Sequence, residues 1–244
     1  RNLFTRYINA NRNETLMRLF TCGNNLISGD YGMKKNSTVD EITFNTLALK
    51  IVDAMSREEK LRGTISAVLL KDYDTPLVPE DIFNKEKYQR FIIEPNMVIE
   101  IPDGVRTLAE YAALFSKKYR NRTKKILEQG KKLNQEYFDL NQIKKHEKEI
   151  YSLYENIFDK AKFKLIKLPE NYFSEMKRIF GDKFILKVSF FEERIVSFFT
   201  CMIMPENILE AHYVGMDYNL NPEFELYQNI LYSLIEETII LNFK

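Results

Sequence analysis

The sequence predicts an α+β protein, because runs of β-branched and aromatic residues alternate with apolar stripes at helical spacing. Three apolar runs, Phe184 to Phe191, Ile195 to Met204 and Leu209 to Met216, are separated by short polar turns and indicate an antiparallel meander. Asn221 and Pro222 then supply an N-cap and a first helical residue for an apolar helix. We expect mixed, mostly antiparallel sheets flanked by helices.

The composition excludes several classes of protein. With 244 residues, of which 45% are hydrophobic, the chain can fill real cores and is not expected to be disordered. The 36 basic and 35 acidic residues nearly cancel, so no overall field attracts nucleic acid. The two cysteines, Cys22 and Cys201, match no metal or redox spacing and suit buried thiols in a reducing compartment. We therefore expect a cytoplasmic protein without a metal.

The longest apolar run, Ile195 to Met204, is interrupted by Ser197 and Thr200. It is far shorter than the roughly 18 residues that a membrane-spanning helix requires. We interpret this run as a buried strand, and we expect no integral membrane segment.

The first part of the chain alternates strand and helix patterns. Leu16 to Cys22 is predicted to be a strand, and a loop with three glycines follows it. A helix is expected from Ile42 to Arg62, followed by a strand from Thr64 to Leu70. A short helix and two short strands are then predicted at 82–88, 91–93 and 97–101. We place a first unit at residues 1–104 and a second at 105–244.

The second unit opens with helical patterns. Three helices are predicted, at Thr107 to Leu133, Ile143 to Phe158 and Pro169 to Phe180, with a short strand at Tyr137 to Leu140. Basic residues are concentrated between Lys117 and Lys125.

Three short segments carry a family resemblance: residues 116–122, residues 215–218 with 226–227, and residues 22–32. They resemble GNAT-type N-acyltransferases, and among these the Fem-like enzymes. Residues 116–122 (SKKYRNR) are similar to the basic helix that opens the second domain of that family. Residues 215–218 (GMDY) with 226–227 (LY) are similar to its strand-to-helix junction, and residues 22–32 are similar to the equivalent junction of its first domain. The resemblance implies two GNAT-like units in tandem, covering most of the chain.

The resemblance also implies an activity, that of a bacterial N-acyltransferase. Such a transferase moves an acyl or aminoacyl group from acyl-coenzyme A or aminoacyl-tRNA to the amine of a small-molecule or peptidoglycan-precursor-like acceptor. Further strands would precede the first junction and follow Lys244, so we expect both units to be incomplete within these residues. Two alternatives stay open: a non-catalytic ligand- or partner-binding descendant of the same fold, and a protein that binds tRNA through its basic helix.

One turn departs from the family pattern. A standard GNAT enzyme holds the diphosphate of coenzyme A at a glycine-rich turn before a helix, where free amides and the helix dipole favour anions. Residues 217–225 contain no glycine, and Pro222 has no N–H to donate. Asp217, Glu223 and Glu225 add negative charge. We expect no conventional coenzyme A site here, and the sequence assigns no cofactor-binding residues.

The basic helix provides the candidate anion-binding residues. Arg120 and Lys124 lie one helical turn apart and can clamp a diphosphate or another anion, with Arg122 as a third candidate. Arg120 is the position that matches the family's basic motif. The alternative is that these cations form an ordinary solvated helix surface.

Four residues are candidates for proton transfer during acyl transfer. Strand alternation predicts that Glu210 and His212 share one face of the third meander strand and that Tyr213 lies on the other. Asp217 follows this strand, and Tyr227 begins the last helix. The alternatives are a hydrogen-bonded structural role for His212 and core packing for Tyr227.

Overall fold

The computed structural model describes residues 18–27, 29, 32–62, 65–72, 88–90, 97–162, 164 and 166–243. The chain divides into two compact units, Arg1–Met97 and Val98–Lys244. The predicted helix at 82–88, apart from its last residue, and the predicted strand at 91–93 lie outside the described residues.

The described part of the first unit is a strand, a helix and a second strand, as predicted. These elements are β1 (Leu19–Cys22), α1 (Glu41–Arg62) and β2 (Ala67–Leu70). The two strands pair in parallel, which a long connection such as α1 permits. Asp40 caps α1 by accepting a hydrogen bond from the Thr43 amide at 2.9 Å, and this bond lowers the pKa of Asp40.

The second unit is an antiparallel sheet with helices on both faces. Its elements are α2 (Leu108–Ala113), α3 (Lys117–Gly130), β3 (Asn134–Tyr137), α4 (Leu140–Lys145), α5 (Glu147–Lys160), α6 (Tyr172–Phe180), β4 (Phe184–Phe191), β5 (Arg194–Met204), β6 (Ile208–Met216), α7 (Asn221–Phe224) and α8 (Leu226–Ile240). The strands lie in the order β3-β4-β5-β6 and every pair is antiparallel. The predicted α+β class and the predicted meander are confirmed.

Three predicted helices are each divided in two. The helix expected at 107–133 breaks between α2 and α3, where Ser116 adopts an extended backbone. The helix expected at 143–158 begins earlier and is interrupted at His146. The last helix is interrupted at Glu225, whose φ of 49° is left-handed and ends α7. No glycine or proline marks these breaks in the sequence.

The predicted strand at 97–101 is wrong. Met97 and Val98 are 90% and 80% exposed, and residues 97–100 pair with no strand in the described ranges. An apolar β-branched run forms a strand only where a neighbouring strand accepts its hydrogen bonds.

The two faces of the four-stranded sheet are covered by different helices. On one face Phe199 and Cys201 share a core with Leu226 and Ile230 of α8. On the other face Phe198 contacts Phe173 of α6, with ring centroids 5.1 Å apart. Any side chain on a strand of this sheet can therefore be assigned to the α8 side or to the α5–α6 side.

Helix α3 lies beside α8. Its Thr123 hydroxyl is 2.7 Å from the hydroxyl of Tyr232, and the Asn229 amide donates to the Ile126 carbonyl at 3.1 Å. Thr123 and Ile126 are the buried residues of α3, so the face they form is held against α8.

Candidate active site

Strand β6 contains a bulge at His212 and Tyr213. Phe199 pairs with Val214 and Cys201 pairs with Ala211, so two residues of β6 oppose the single residue Thr200. The Thr200 hydroxyl accepts from the Tyr213 amide at 2.9 Å and donates to the Tyr213 carbonyl at 3.2 Å. This side chain replaces the backbone partners that a bulge removes from the ladder.

The bulge corrects the predicted side-chain alternation. His212 and Tyr213 lie on the same face of the sheet, with ring centroids 4.6 Å apart, and both rings contact Tyr172 of α6. The extra residue breaks the two-residue period on which the prediction depended. Both side chains therefore belong to the α5–α6 side.

His212 is held by two hydroxyl groups. Its Nε2 lies 3.1 Å from the Tyr172 hydroxyl, and its Nδ1 lies 3.4 Å from the Thr200 hydroxyl. Since the single hydroxyl proton of Thr200 is directed to the Tyr213 carbonyl, Nδ1–H is the donor to Thr200. The Nε2 lone pair then accepts from the Tyr172 O–H. This network fixes the tautomer of the imidazole.

Tyr172 is a buried phenol between aromatic rings. Burial raises the pKa of Tyr172 well above its usual value, and the neighbouring Tyr213 and Tyr154 raise it further. Burial also raises the pKa of Tyr213. Tyr172 is therefore a neutral hydrogen-bond donor to His212 at any physiological pH.

Asp217 is engaged in the turn that follows β6. Its carboxylate forms an ion pair with the Arg194 guanidinium and accepts a hydrogen bond from the Asn219 amide at 2.9 Å. Its own amide donates to the Val196 carbonyl at 2.9 Å. Asp217 is therefore a buried side chain whose contacts hold the turn in its conformation.

The same turn offers few free amides to the diphosphate of coenzyme A. The amides of Asp217, Asn219, Leu220, Glu223, Phe224, Glu225 and Tyr227 each donate to an acceptor of this chain. Pro222 has no N–H, and the carboxylates of Glu223 and Glu225 are close in sequence. An anion site needs free amides and little negative charge. Most amides of this turn are therefore unavailable to a diphosphate, and its carboxylates disfavour one.

Glu210 pairs with Met202 and shares the sheet face of His212, as predicted, but the other predicted residues lie elsewhere. Tyr227 is exposed on the first turn of α8, so it is not part of the core. Arg120 donates to the Phe115 carbonyl at 3.3 Å and, like Arg122 and Lys124, is exposed on α3. Because α3 lies beside α8, on the opposite side of the sheet from His212, the structure does not bring these cations together with the histidine.

An open depression lies between the first turn of α5 and the β4–β5 turn. It is lined by Glu149 of α5, by Glu192 and Glu193 of the β4–β5 turn, and by Arg194. Three carboxylates at one opening make this surface suitable for a cationic group, although Glu149 also contacts His146 at 3.2 Å.

Two residues of the site were not predicted from the sequence. Tyr172 follows the proline-containing segment that begins α6, and nothing in its sequence context indicates contact with β6. Thr200 carried a usable signal, because a hydroxyl in an otherwise apolar strand must find a hydrogen-bond partner.

A second polar cluster lies on the α8 side of the sheet. The ammonium of Lys187 on β4 is 2.6 Å from the Glu237 carboxylate of α8. The Tyr137 hydroxyl donates to both oxygens of Glu237, at 2.6 and 2.8 Å, and its ring lies under the ammonium at 4.7 Å. Lys187 and Glu237 are only 7% and 2% exposed. The sequence analysis did not identify this pair.

Cys201 lies near this pair and is chemically protected. Burial raises the pKa of the thiol to about 12, and the Glu237 carboxylate adds to the effect. Since the thiolate is the reactive form, we expect Cys201 to resist iodoacetamide at pH 8 in the native protein and to react after unfolding in urea. Mass spectrometry of the two samples tests this. Modification of native Cys201 at the unfolded rate would contradict the burial.

The raised thiol pKa also has a stability consequence. The folded pKa exceeds the unfolded value, so this contribution to stability is complete below about pH 9 and declines as the pH rises toward about 12.

None of the helices in the described ranges is long and apolar enough to cross a membrane. No group of three or more histidine, cysteine, aspartate or glutamate side chains that could hold a metal ion was found in this part of the chain.

Comparisons with known proteins give distant structural similarities. No protein-family model matches the chain, and no curated protein matches it in sequence. An aminoglycoside acetyltransferase from an uncultured soil metagenomic sample, in complex with trehalose, is 16% identical with a TM-score of 0.35, covering 46% of this chain and 73% of that chain. The aminoglycoside 6'-N-acetyltransferase from Enterococcus faecium is 11% identical with a TM-score of 0.35, covering 45% and 57%. An acetyltransferase of the GNAT family from Staphylococcus aureus Mu50 is 11% identical with a TM-score of 0.33, covering 44% and 68%.

Proposed function

We propose that the unit from Val98 to Lys244 is an N-acyltransferase of the GNAT type, which transfers an acyl or aminoacyl group to an amine of a small polar acceptor. The observation that supports it best is the bulge in β6, which holds His212 between Thr200 and the buried Tyr172. Bulges of this kind re-aim side chains and are frequent beside active sites. A Fem-like tandem arrangement with the first unit is part of the same proposal.

The reaction requires a place for one proton. The amine nitrogen forms a bond to the acyl carbon, the bond from that carbon to the donor's sulfur or oxygen breaks, and the nitrogen loses a proton. The Tyr172 oxygen can accept this proton while its own proton moves to His212 Nε2, 3.1 Å away. Tyrosine then never becomes a phenolate, which agrees with its raised pKa. The departing thiolate or alkoxide then takes a proton from His212, which becomes neutral again.

The structure limits the choice of donor more than the choice of acceptor. The three carboxylates around the depression favour a cationic ligand there, but Arg194 and Thr200 lie six residues apart on β5, roughly 20 Å, so these carboxylates do not select the acceptor at His212. Acyl-coenzyme A and aminoacyl-tRNA are the two donor classes. The occupied amides after β6 support a donor whose phosphates are held outside this turn.

The test is an acyl-transfer assay on the full chain. Acetyl-coenzyme A and an aminoacyl-tRNA are each combined with a panel of amino sugars and amine-bearing peptides, and acylated products are identified by mass spectrometry. The same acceptors with acetylated amines are the control. We expect product from one donor class and a higher melting temperature with that donor. No product and no melting shift with either donor would contradict the proposal.

A second candidate is a non-catalytic protein that binds a ligand or partner with the same fold. The ion pair of Asp217 with Arg194 and the occupied amides of the following turn favour it, because they remove the usual diphosphate site. In the same assay this candidate predicts a melting shift with an acceptor and no acylated product with any donor.

A further inference from the structure

The cations of α3 form a charged surface that the proposed chemistry does not use. Six of the nine residues from Lys117 to Lys125 are lysine or arginine, and all six are exposed. No acidic residue occurs between Glu110 and Glu128. None of the six forms an ion pair within 4.0 Å in the part of the chain that the structure describes. Their charge is available to an external partner.

The cations lie in two stripes on one rigid helix. Lys117, Arg120 and Lys124 recur at helical spacing along one flank, and the other flank carries Lys118, Arg122 and Lys125. The third side of α3 is fixed to α8 through Thr123 and Ile126. The six cations therefore span about 12 Å of helix length and point away from α8.

One large apolar side chain lies next to these cations. Leu114, at the corner between α2 and α3, is 60% exposed, whereas Tyr119 shares the helix stripe of Thr123 and Ile126. Leu114 comes three residues before the first cation. An exposed aliphatic side chain gains free energy on leaving water, but a phosphate chain offers no apolar medium to receive it. A lipid bilayer offers both anionic headgroups and an apolar layer beneath them.

We propose that the α2–α3 surface, meaning Leu114 and the six cations from Lys117 to Lys125, docks the protein on the surface of a bilayer that contains anionic phospholipids. The attachment is peripheral, with headgroup phosphates held by the cations and Leu114 inserted at the interface. The overall charge of +1 makes the attraction local to this surface. Arg120, Arg122 and Lys124 then keep their predicted anion-binding role with a lipid headgroup as the anion. The inference goes beyond the proposed function and does not depend on it.

The test is co-sedimentation of the full chain with vesicles. One set is made of phosphatidylcholine alone and the other of equal parts of phosphatidylcholine and phosphatidylglycerol. We expect binding to the second set only, and a decrease in binding as salt shortens the Debye length from about 10 Å at 0.1 M to about 3 Å at 1 M. The triple variant Lys117→Gln, Arg120→Gln, Lys124→Gln is expected to lower the partition coefficient about 100-fold.

A matched control removes the same charge elsewhere. Lys144, Lys145 and Lys148 are exposed on α4 and α5, and the variant Lys144→Gln, Lys145→Gln, Lys148→Gln is expected to bind vesicles like the wild type. Leu114→Asn is expected to weaken binding while leaving its salt dependence unchanged. All substituted side chains are exposed, so circular dichroism and melting curves should match those of the wild type.

Two results would overturn the proposal. The first is equal loss of binding in the two triple variants, which would indicate a response to overall charge alone. The second is the absence of vesicle binding together with tight binding of a labelled RNA hairpin that the α3 variant abolishes, which would make the surface a nucleic-acid site.

Discussion

Replacing His212 by glutamine is expected to lower kcat for acyl transfer about 10²–10⁴-fold, because general-base catalysis by a positioned side chain contributes about that factor. Glutamine can still hydrogen-bond with the hydroxyls of Tyr172 and Thr200, so the bulge should persist. It cannot accept the proton that Tyr172 passes on when the amine is deprotonated. The measurement is kcat with the donor identified by the assay, together with the melting temperature of each variant.

The other histidine of the chain provides the control. His146 lies between α4 and α5 and contacts Glu149 rather than β6, so His146→Gln should retain its kcat. Tyr172→Phe removes the hydroxyl that donates to Nε2 and should also lower kcat. Wild-type kcat in His212→Gln would assign His212 a structural role.

Replacing Glu237 by leucine is expected to lower the free energy of unfolding by about 3–5 kcal/mol, because the ammonium of Lys187 would remain buried without its counter-ion. Lys187 is 7% exposed and lies in the middle of the sheet, so water cannot replace the carboxylate. The Tyr137 hydroxyl also loses its acceptor. Urea denaturation followed by circular dichroism measures the change.

Two further variants separate the ion pair from the side-chain volume. Lys187→Met combined with Glu237→Leu should recover most of the lost stability, since burying two apolar side chains is often no worse than burying an ion pair. Glu155→Gln removes one partner of the exposed Lys167–Glu155 pair and should change stability by less than about 1 kcal/mol. A loss in the double variant as large as that in Glu237→Leu would contradict this account.

The sequence predicted the parts of the fold that depend on local pattern. The three meander strands and the helix pattern starting at Asn221 were found because apolar runs and capping residues are visible along the chain. The helix breaks at Ser116 and Glu225 were missed because both residues are compatible with helical interiors. Tertiary packing, and not propensity, determines the backbone at these two positions.

The candidate site was predicted in part. His212 was identified, but the bulge that turns Tyr213 to the same face could not be predicted from alternation, because it depends on how β6 pairs with β5. Tyr172 was missed because it meets His212 across a long stretch of sequence. The Lys187–Glu237 pair did leave a signal, since a lysine in an apolar strand and a glutamate in an apolar helix each need an opposite charge.

The edge strand β3 has a consequence for the order in which the second unit assembles. Strands β4, β5 and β6 follow one another through tight turns, so their pairing closes short loops and can form early. β3 and β4 are separated in sequence by α4, α5 and α6, so their pairing closes a long loop, and all four residues of β3 are exposed. We expect amide hydrogens to exchange slowly in β5, which is paired on both sides, and fastest within the sheet in β3. Tyr137, the residue of β3 that reaches Glu237, then attaches the last strand to a core that has already formed.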